Sequence, residues 1–139
     1  MDIQHLLHAL NNDNNEAVVD LDYVTIAKHK NDLLQQLNLP REELIKLQKQ
    51  LKPYRCVNNL EDLRFGSYVR WISLKNPEVI KLTNGGIVCD IKEINGDIHI
   101  KCKNKMNMLF QTKMSEILLF KKLSEQEEVI LKAMKYLHH

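Results

Sequence analysis

The sequence predicts an α+β protein in which helices come first, antiparallel strands follow and a single helix closes the chain. Three observations carry this. Leucines recur at helical spacing up to Pro53, a two-residue alternation takes over from Tyr68, and Ser124-Glu125-Gln126-Glu127 opens a last helix with a capping box. A length of 139 residues suits one domain with small helical additions rather than two full-sized domains.

The helical part reads in three pieces. Asp2 can cap a short helix carrying Ile3, Leu6, Leu7 and Leu10, and the run Asn11-Asn12-Asp13-Asn14-Asn15 ends it, because Asn and Asp side chains compete for backbone hydrogen bonds. A second helix starts at about Asp22 and presents Ile26, Leu33, Leu34 and Leu37. Pro40 can stand in the first turn of a third helix, where its missing N–H is no loss. There Leu44, Leu47 and Leu51 recur at i, i+3 and i+7 until Pro53 stops the pattern. The short Asn38-Leu39-Pro40 link makes an antiparallel helical hairpin. Its leucine stripe reads first as a seam packed on the rest of the protein, and second as a surface for a protein partner.

The strands are placed by turn chemistry. Tyr68–Ser73 is followed by a long connection through Asn76-Pro77 to Asn84-Gly85-Gly86. Ile87–Ile94 and Asp97–Lys103 flank Asn95-Gly96, a strong two-residue hairpin signal. Phe110–Met114 and Ile117–Leu123 follow, joined by a tight turn at Ser115-Glu116. A two-residue loop pairs Ile94 with Asp97, Glu93 with Ile98, Lys92 with His99, Ile91 with Ile100, Asp90 with Lys101 and Cys89 with Cys102. Alternation then puts Ile87, Cys89, Ile91, Ile98, Ile100 and Cys102 on an apolar face, with Asp90, Lys92, His99, Lys101 and Lys103 on a wet one.

Five short strands with a long first connection predict a five-stranded antiparallel SH3-like small β-barrel. An OB-like barrel and a β-meander on helices are the alternatives, but about 56 residues from Tyr68 to Leu123 are tight for an OB barrel. The expected segments are residues 1–21, an acidic leader with a short helix and an Asn-rich linker; 22–60, the helical hairpin; and 61–139, the barrel with its C-terminal helix.

Charge and cysteines exclude several classes. Lys and Arg total 20 against 18 Asp and Glu, a net charge of +2, too small for a histone-like condenser of nucleic acid. No run of about 18 apolar residues suggests a membrane span, and the first residues lack a secretory pattern. Cys56, Cys89 and Cys102 are an odd number without a Cys-x-x-Cys spacing, which points to reduced thiols in a cytoplasmic setting. Cys89 opposite Cys102 could form a disulfide, but on an apolar face the pair reads as two small hydrophobes. A metal site would need further ligands, and His99 points to the other face, so no metal is expected.

Catalysis finds no constellation. Asn84-Gly85-Gly86 is not a phosphate-cradling loop, there is no G-x-S-x-G elbow, and the register gives His99 no carboxylate partner. The reading is a protein that is not an enzyme and needs no cofactor. The binding candidates are Arg70, Lys92, Lys101, Lys103 and Lys105, a basic strip able to neutralise phosphates. Trp71 shares its face with Val69 and reads as core rather than as a stacking platform. Met106 and Met108 form a candidate protein contact beside the leucines Leu44, Leu47 and Leu51, since methionine adapts to irregular surfaces.

The segments Gly66-Ser67-Tyr68-Val69-Arg70-Trp71-Ile72, Leu82-Thr83-Asn84-Gly85-Gly86-Ile87-Val88, Cys102-Lys103-Asn104 and Phe120-Lys121-Lys122-Leu123-Ser124 resemble a group of small uncharacterised proteins of large nucleocytoplasmic DNA viruses. The likeness covers about residues 40–137 and excludes the acidic leader. It implies a host cytoplasm, a viral factory or a virion as the location, and it carries no established activity over to this chain. Tudor-type barrels, which read methylated side chains through an aromatic cage, match poorly, because alternation does not bring Phe65, Tyr68, Trp71 and Phe110 to one rim. Two functions follow. One is a non-catalytic module contacting nucleic acid or a nucleoprotein complex. The other is a structural or adaptor protein, such as a minor virion component, that binds protein through its helices.

Overall fold

The computed structural model describes residues 3–11 and 22–137. The caps and linker assigned to Asp2 and Asn12–Asn15, and the terminal His138 and His139, lie outside the described residues. Four α-helices are described: α1 (Ile3–Asn11), α2 (Tyr23–Gln35), α3 (Arg41–Gln50) and α4 (Glu125–Leu137). Between them run β1 (Tyr54–Cys56), β2 (Tyr68–Ser73), β3 (Gly86–Ile94), β4 (Asp97–Lys103), β5 (Leu109–Lys113) and β6 (Ile117–Lys122).

Local chemistry sets the helix boundaries. The Asp22 carboxylate caps α2 by accepting from the Thr25 N–H at 2.7 Å. Pro40 stands at the N-cap of α3, one position before the first turn. At α4 the capping box is complete: the Glu127 N–H donates to the Ser124 hydroxyl, and the Ser124 N–H to the Glu127 carboxylate, both at 3.1 Å.

The strands form one six-stranded antiparallel sheet in the order β1-β6-β2-β3-β4-β5, open at β1 and β5. The expected closed five-stranded SH3-like barrel is therefore corrected on strand number and on closure. The strand not foreseen is β1, whose Tyr54, Arg55 and Cys56 pair with Lys122, Lys121 and Phe120. Three residues after Pro53 are too few for alternation to show, and β6 supplies the partner from a distant part of the chain. Four strand spacings of ~4.8 Å separate β5 from β6 across a flat sheet, roughly 19 Å. The chain from Lys113 to Ile117 can extend only about 14 Å. The sheet must therefore curl, although its edges do not pair.

Five of the six expected hairpin pairs are present, from Ile94–Asp97 to Asp90–Lys101. The sixth is not: Cys102 lies opposite Val88, and a β-bulge occupies the step between Val88 and Asp90. One extra residue reverses the alternation beyond it. Val88 is buried in place of Cys89, while Cys89 and Ile87 are exposed. The cross-strand cysteine pair is corrected accordingly, and all three cysteines are free thiols.

Three apolar clusters hold these layers. The inner face of the curled sheet buries Val69, Trp71, Val88, Ile100, Cys102, Ile117 and Leu119 together with Val57 and Leu63. The outer face of β1, β6 and β2 is covered by α2 and α3, where Leu34, Leu47 and Leu51 meet Tyr54, Ile72, Leu82 and Phe120. A third cluster joins Ala9 of α1 and Ile26 of α2 to Leu123, Ile130 and Leu131 at α4. The three sequence segments thus share their cores: α1 rests with α4, and β1, from the hairpin segment, is a strand of the sheet. Leu47 and Leu51 are buried and Leu44 packs against them. The stripe proposed as a partner surface is the seam between α3 and the sheet.

Candidate nucleic-acid interface

Strand pairing settles which side chains share a face. Tyr68 is opposite Ile87, and Ile87 opposite Lys103, which is opposite Leu109. The next row is Asp90, Lys101 and Gln111, and the one after is Lys92, His99 and Lys113. Arg70, two residues from Tyr68 along β2, belongs to the same face. Arg70, Lys92, Lys101 and Lys103 therefore lie on the outer face of one sheet. Helices cover its β1-β6-β2 half, and among the described residues no helix covers the β3-β4-β5 half.

The bare half is basic with a few neutralising groups. Lys92, Lys101, Lys103 and Lys113 stand against Asp90 and Asp97, and Lys92 pairs with Asp90 at 3.5 Å. That pair is exposed and contributes little. The Gln111 amide and the His99 ring lie 3.0 Å apart and bridge β4 to β5. Lys101 and Lys103 are two residues apart on one strand, so about 7 Å separates their Cα atoms. Lys113 was missed by sequence reading because no register linked β4 to β5; pairing Lys113 with His99 is what adds it.

The fifth predicted cation, Lys105, is in the turn after β4. It joins Arg70 in lining a cleft of about 520 Å³, together with Tyr54, Tyr68, Asn84, Gly85, Asn104 and Met106. The cleft opens where β3 begins and β4 ends, next to Lys103. Arg70 is held there by its Nε, which donates to the Thr83 carbonyl at 2.7 Å. Burial pushes the Tyr54 hydroxyl above the usual phenol range, opposed by the charge of Arg70 and a hydrogen bond to it. The Tyr68 hydroxyl donates to the Asn84 carbonyl, which fixes the ring beside the cleft. On the opposite wall the Asn104 carboxamide oxygen accepts from the N–H groups of Met106 and Met108 at 2.9 and 3.0 Å. Gly85 lines the cleft, and its close approach to the Val69 backbone leaves no room for a side chain there.

Several exposed apolar groups also stand at this end. Met106 is 78% exposed and Met108 53%, and Leu109 and Phe110 of β5 follow them, also exposed. Trp71 is buried on the inner face, so no indole is available on the basic side. Tyr68 and Trp71 lie on opposite faces, which rules out an aromatic cage built from both.

A second charged cluster lies elsewhere. Arg55 is buried on the inner face of β1 and makes bidentate contact with Asp62 at 2.8 and 3.1 Å. Its Nε donates to Glu127 at 2.9 Å, and Lys121 approaches the same carboxylate at 3.9 Å. Every charge in it has a partner, so it ties α4 to the sheet. Among the described residues, no three His, Cys, Asp or Glu side chains gather as metal ligands, and no helix is long and apolar enough to cross a membrane. No family model, curated protein or solved structure matches the chain.

Proposed function

We propose that the protein is a non-catalytic binding module that contacts nucleic acid, alone or within a nucleoprotein complex, through the bare outer face of β3, β4 and β5. The observation that carries this is the common orientation of Lys92, Lys101 and Lys103 on the half of the sheet that no described helix covers, with Arg70 on the same face of β2 at its border. Lys113 extends the row and Lys105 stands at its end. Lysines arranged this way neutralise phosphates and release counterions, giving affinity without sequence readout. Three free thiols fit a reducing compartment such as the cytoplasm.

The test is fluorescence anisotropy with labelled duplex DNA, single-stranded DNA and RNA at low and moderate salt. Four phosphate contacts give a log–log salt slope of about −3.6 on duplex DNA, so a fourfold rise in salt lowers affinity by roughly 150-fold. Lys101→Glu/Lys103→Glu should abolish binding with an unchanged circular dichroism spectrum. No binding to any of the three at low salt would sink this reading.

A second reading rests on Met106, Met108, Leu109 and Phe110, four exposed apolar side chains within five residues. It makes the protein an adaptor whose partner is a protein. Buried Leu47 and Leu51 lend that reading no support. A partner lost on Met106→Asp/Met108→Asp but kept on Lys101→Glu/Lys103→Glu would favour it.

A further inference from the structure

We infer that the cleft between Tyr68 and the Asn104–Met106 turn seats one unpaired nucleotide, its phosphate between Arg70 and Lys105 and its base against Tyr68. The inference rests on the nucleic-acid reading of the lysine face and narrows it to single strands. At about 520 Å³ the cleft has the size of a small-ligand site. Its walls carry two cations, Arg70 and Lys105, and no carboxylate. An anionic ligand is therefore drawn in and a cationic one repelled.

The groups that would meet the ligand are already held. Arg70 is anchored through Nε to Thr83, so little side-chain freedom is lost when its guanidinium meets a phosphate. The Tyr68 ring is tethered through its hydroxyl to Asn84. Asn104 organises the turn bearing Lys105 by taking two backbone N–H groups. An aromatic side chain beside two phosphate-binding cations is the combination by which single strands are held: the base stacks while the backbone is neutralised. Lys103, the last residue of β4, immediately precedes Asn104 of the cleft wall, and from it the lysine row runs back along β4. A strand leaving the cleft thus passes Lys103 and then Lys101. A base inside a duplex is already stacked and paired, and entry would cost its unstacking.

The experiment compares a labelled oligothymidylate with a labelled duplex of equal length, and adds a ¹⁵N–¹H NMR titration with uridine monophosphate and with inorganic phosphate. Tyr68→Ala should weaken the single strand by about 5–150-fold, the range of one base stack, and leave the duplex unchanged. Lys105→Glu, in an exposed turn where the fold is indifferent to it, should weaken the single strand more than the duplex. Uridine monophosphate should shift the amides of Gly85, Asn104 and Lys105, and inorganic phosphate should shift them far less.

Equal loss for single strand and duplex, or no loss from either variant, overturns the inference. Equal shifts from inorganic phosphate also overturn it, in favour of a bare anion site. If neither oligonucleotide binds at low salt, the lysine-face reading fails; the mononucleotide titration then decides the cleft alone, with shifts at those amides upholding it and none refuting it.

Discussion

Arg55 and Glu127 stand 72 positions apart in the chain and 2.9 Å apart in space, with side chains 3% and 1% exposed. The same Glu127 carboxylate closes the capping box at Ser124 through its second oxygen. One side chain therefore starts α4 and fixes that helix to β1. Asp62 takes the other side of the guanidinium, so the burial of Arg55 is compensated by two carboxylates. Desolvation opposes the charge on Arg55, and these contacts outweigh it, raising its affinity for the proton.

Removing one partner from such a network is costly because the other charge stays buried. Glu127→Ala should lower unfolding free energy by about 3–5 kcal/mol, read from the urea midpoint. Ser124→Ala, which removes only the cap, should cost about 1 kcal/mol. Equal effects from the two variants would show that the bond to Arg55 adds nothing beyond capping.

The bulge at Cys89 makes the three thiols unequal. Cys89 is exposed, whereas burial pushes Cys56 up to about 11 and Cys102 up to about 12 from an ordinary 9.0. At mildly alkaline pH a disulfide reagent should modify Cys89 alone in the native protein, and all three only in denaturant. The sign of the linkage follows from the raised values. The folded state keeps protons on Cys56 and Cys102 that the unfolded chain loses above about pH 9. Their contribution to stability is therefore complete below pH 9 and falls as pH rises toward 11–12, by up to ~1.4 kcal/mol per pH unit for each thiol. Cys102→Ala should flatten the alkaline slope of the urea midpoint; an unchanged slope would put the loss on other groups.

The leucine stripe of α3 allows a direct comparison with the exposed methionines. Leu51 is fully buried, so Leu51→Ala should cost about 2–5 kcal/mol. Met106→Ala, at an exposed site, should stay within about 0.5 kcal/mol. Thermal melts of the two variants check this, and a Leu51→Ala protein as stable as wild type would mean that α3 packs elsewhere.

Legibility in the sequence followed the reach of each interaction. Asn95-Gly96 sets its hairpin through neighbouring residues, and the register was readable as far as Asp90–Lys101. The bulge was not, because nothing local to Val88-Cys89-Asp90 shows that the chain gains a residue there; the packing of Val88 against Val69 and Trp71 selects it. The capping box was readable at Ser124, but the partner of Glu127 across the core was not. β1 was missed for the same reason, since its three residues acquire strand structure only from β6. For the candidate site, Lys92, Lys101 and Lys103 followed from alternation along two strands. Their sharing a face with Arg70, and the meeting of Tyr68 with Lys105, required the β2–β3 pairing at Tyr68–Ile87 and the turn at Asn104.

Two glycines separate backbone strain from crowding. Gly96 in the hairpin has φ +85, and a Cβ there would meet no atom within 4 Å. Gly96→Ala therefore carries only the left-handed backbone term, about 1–2 kcal/mol. Gly85 has φ +71, but a Cβ would sit 1.8 Å from the Val69 carbonyl oxygen. That contact is with backbone inside the sheet, so relief requires the 82–85 connection to move away from β2. The move would break the hydrogen bond from Thr83 N–H to the Trp71 carbonyl and draw the Thr83 carbonyl from Arg70. Gly85→Ala should thus destabilise the protein clearly more than Gly96→Ala in urea unfolding. It should also change the NMR environment of Arg70, whereas Gly96→Ala leaves Arg70 untouched. Equal destabilisation by the two variants, with the Arg70 signals unmoved, would mean that the connection yields without disturbing the cleft.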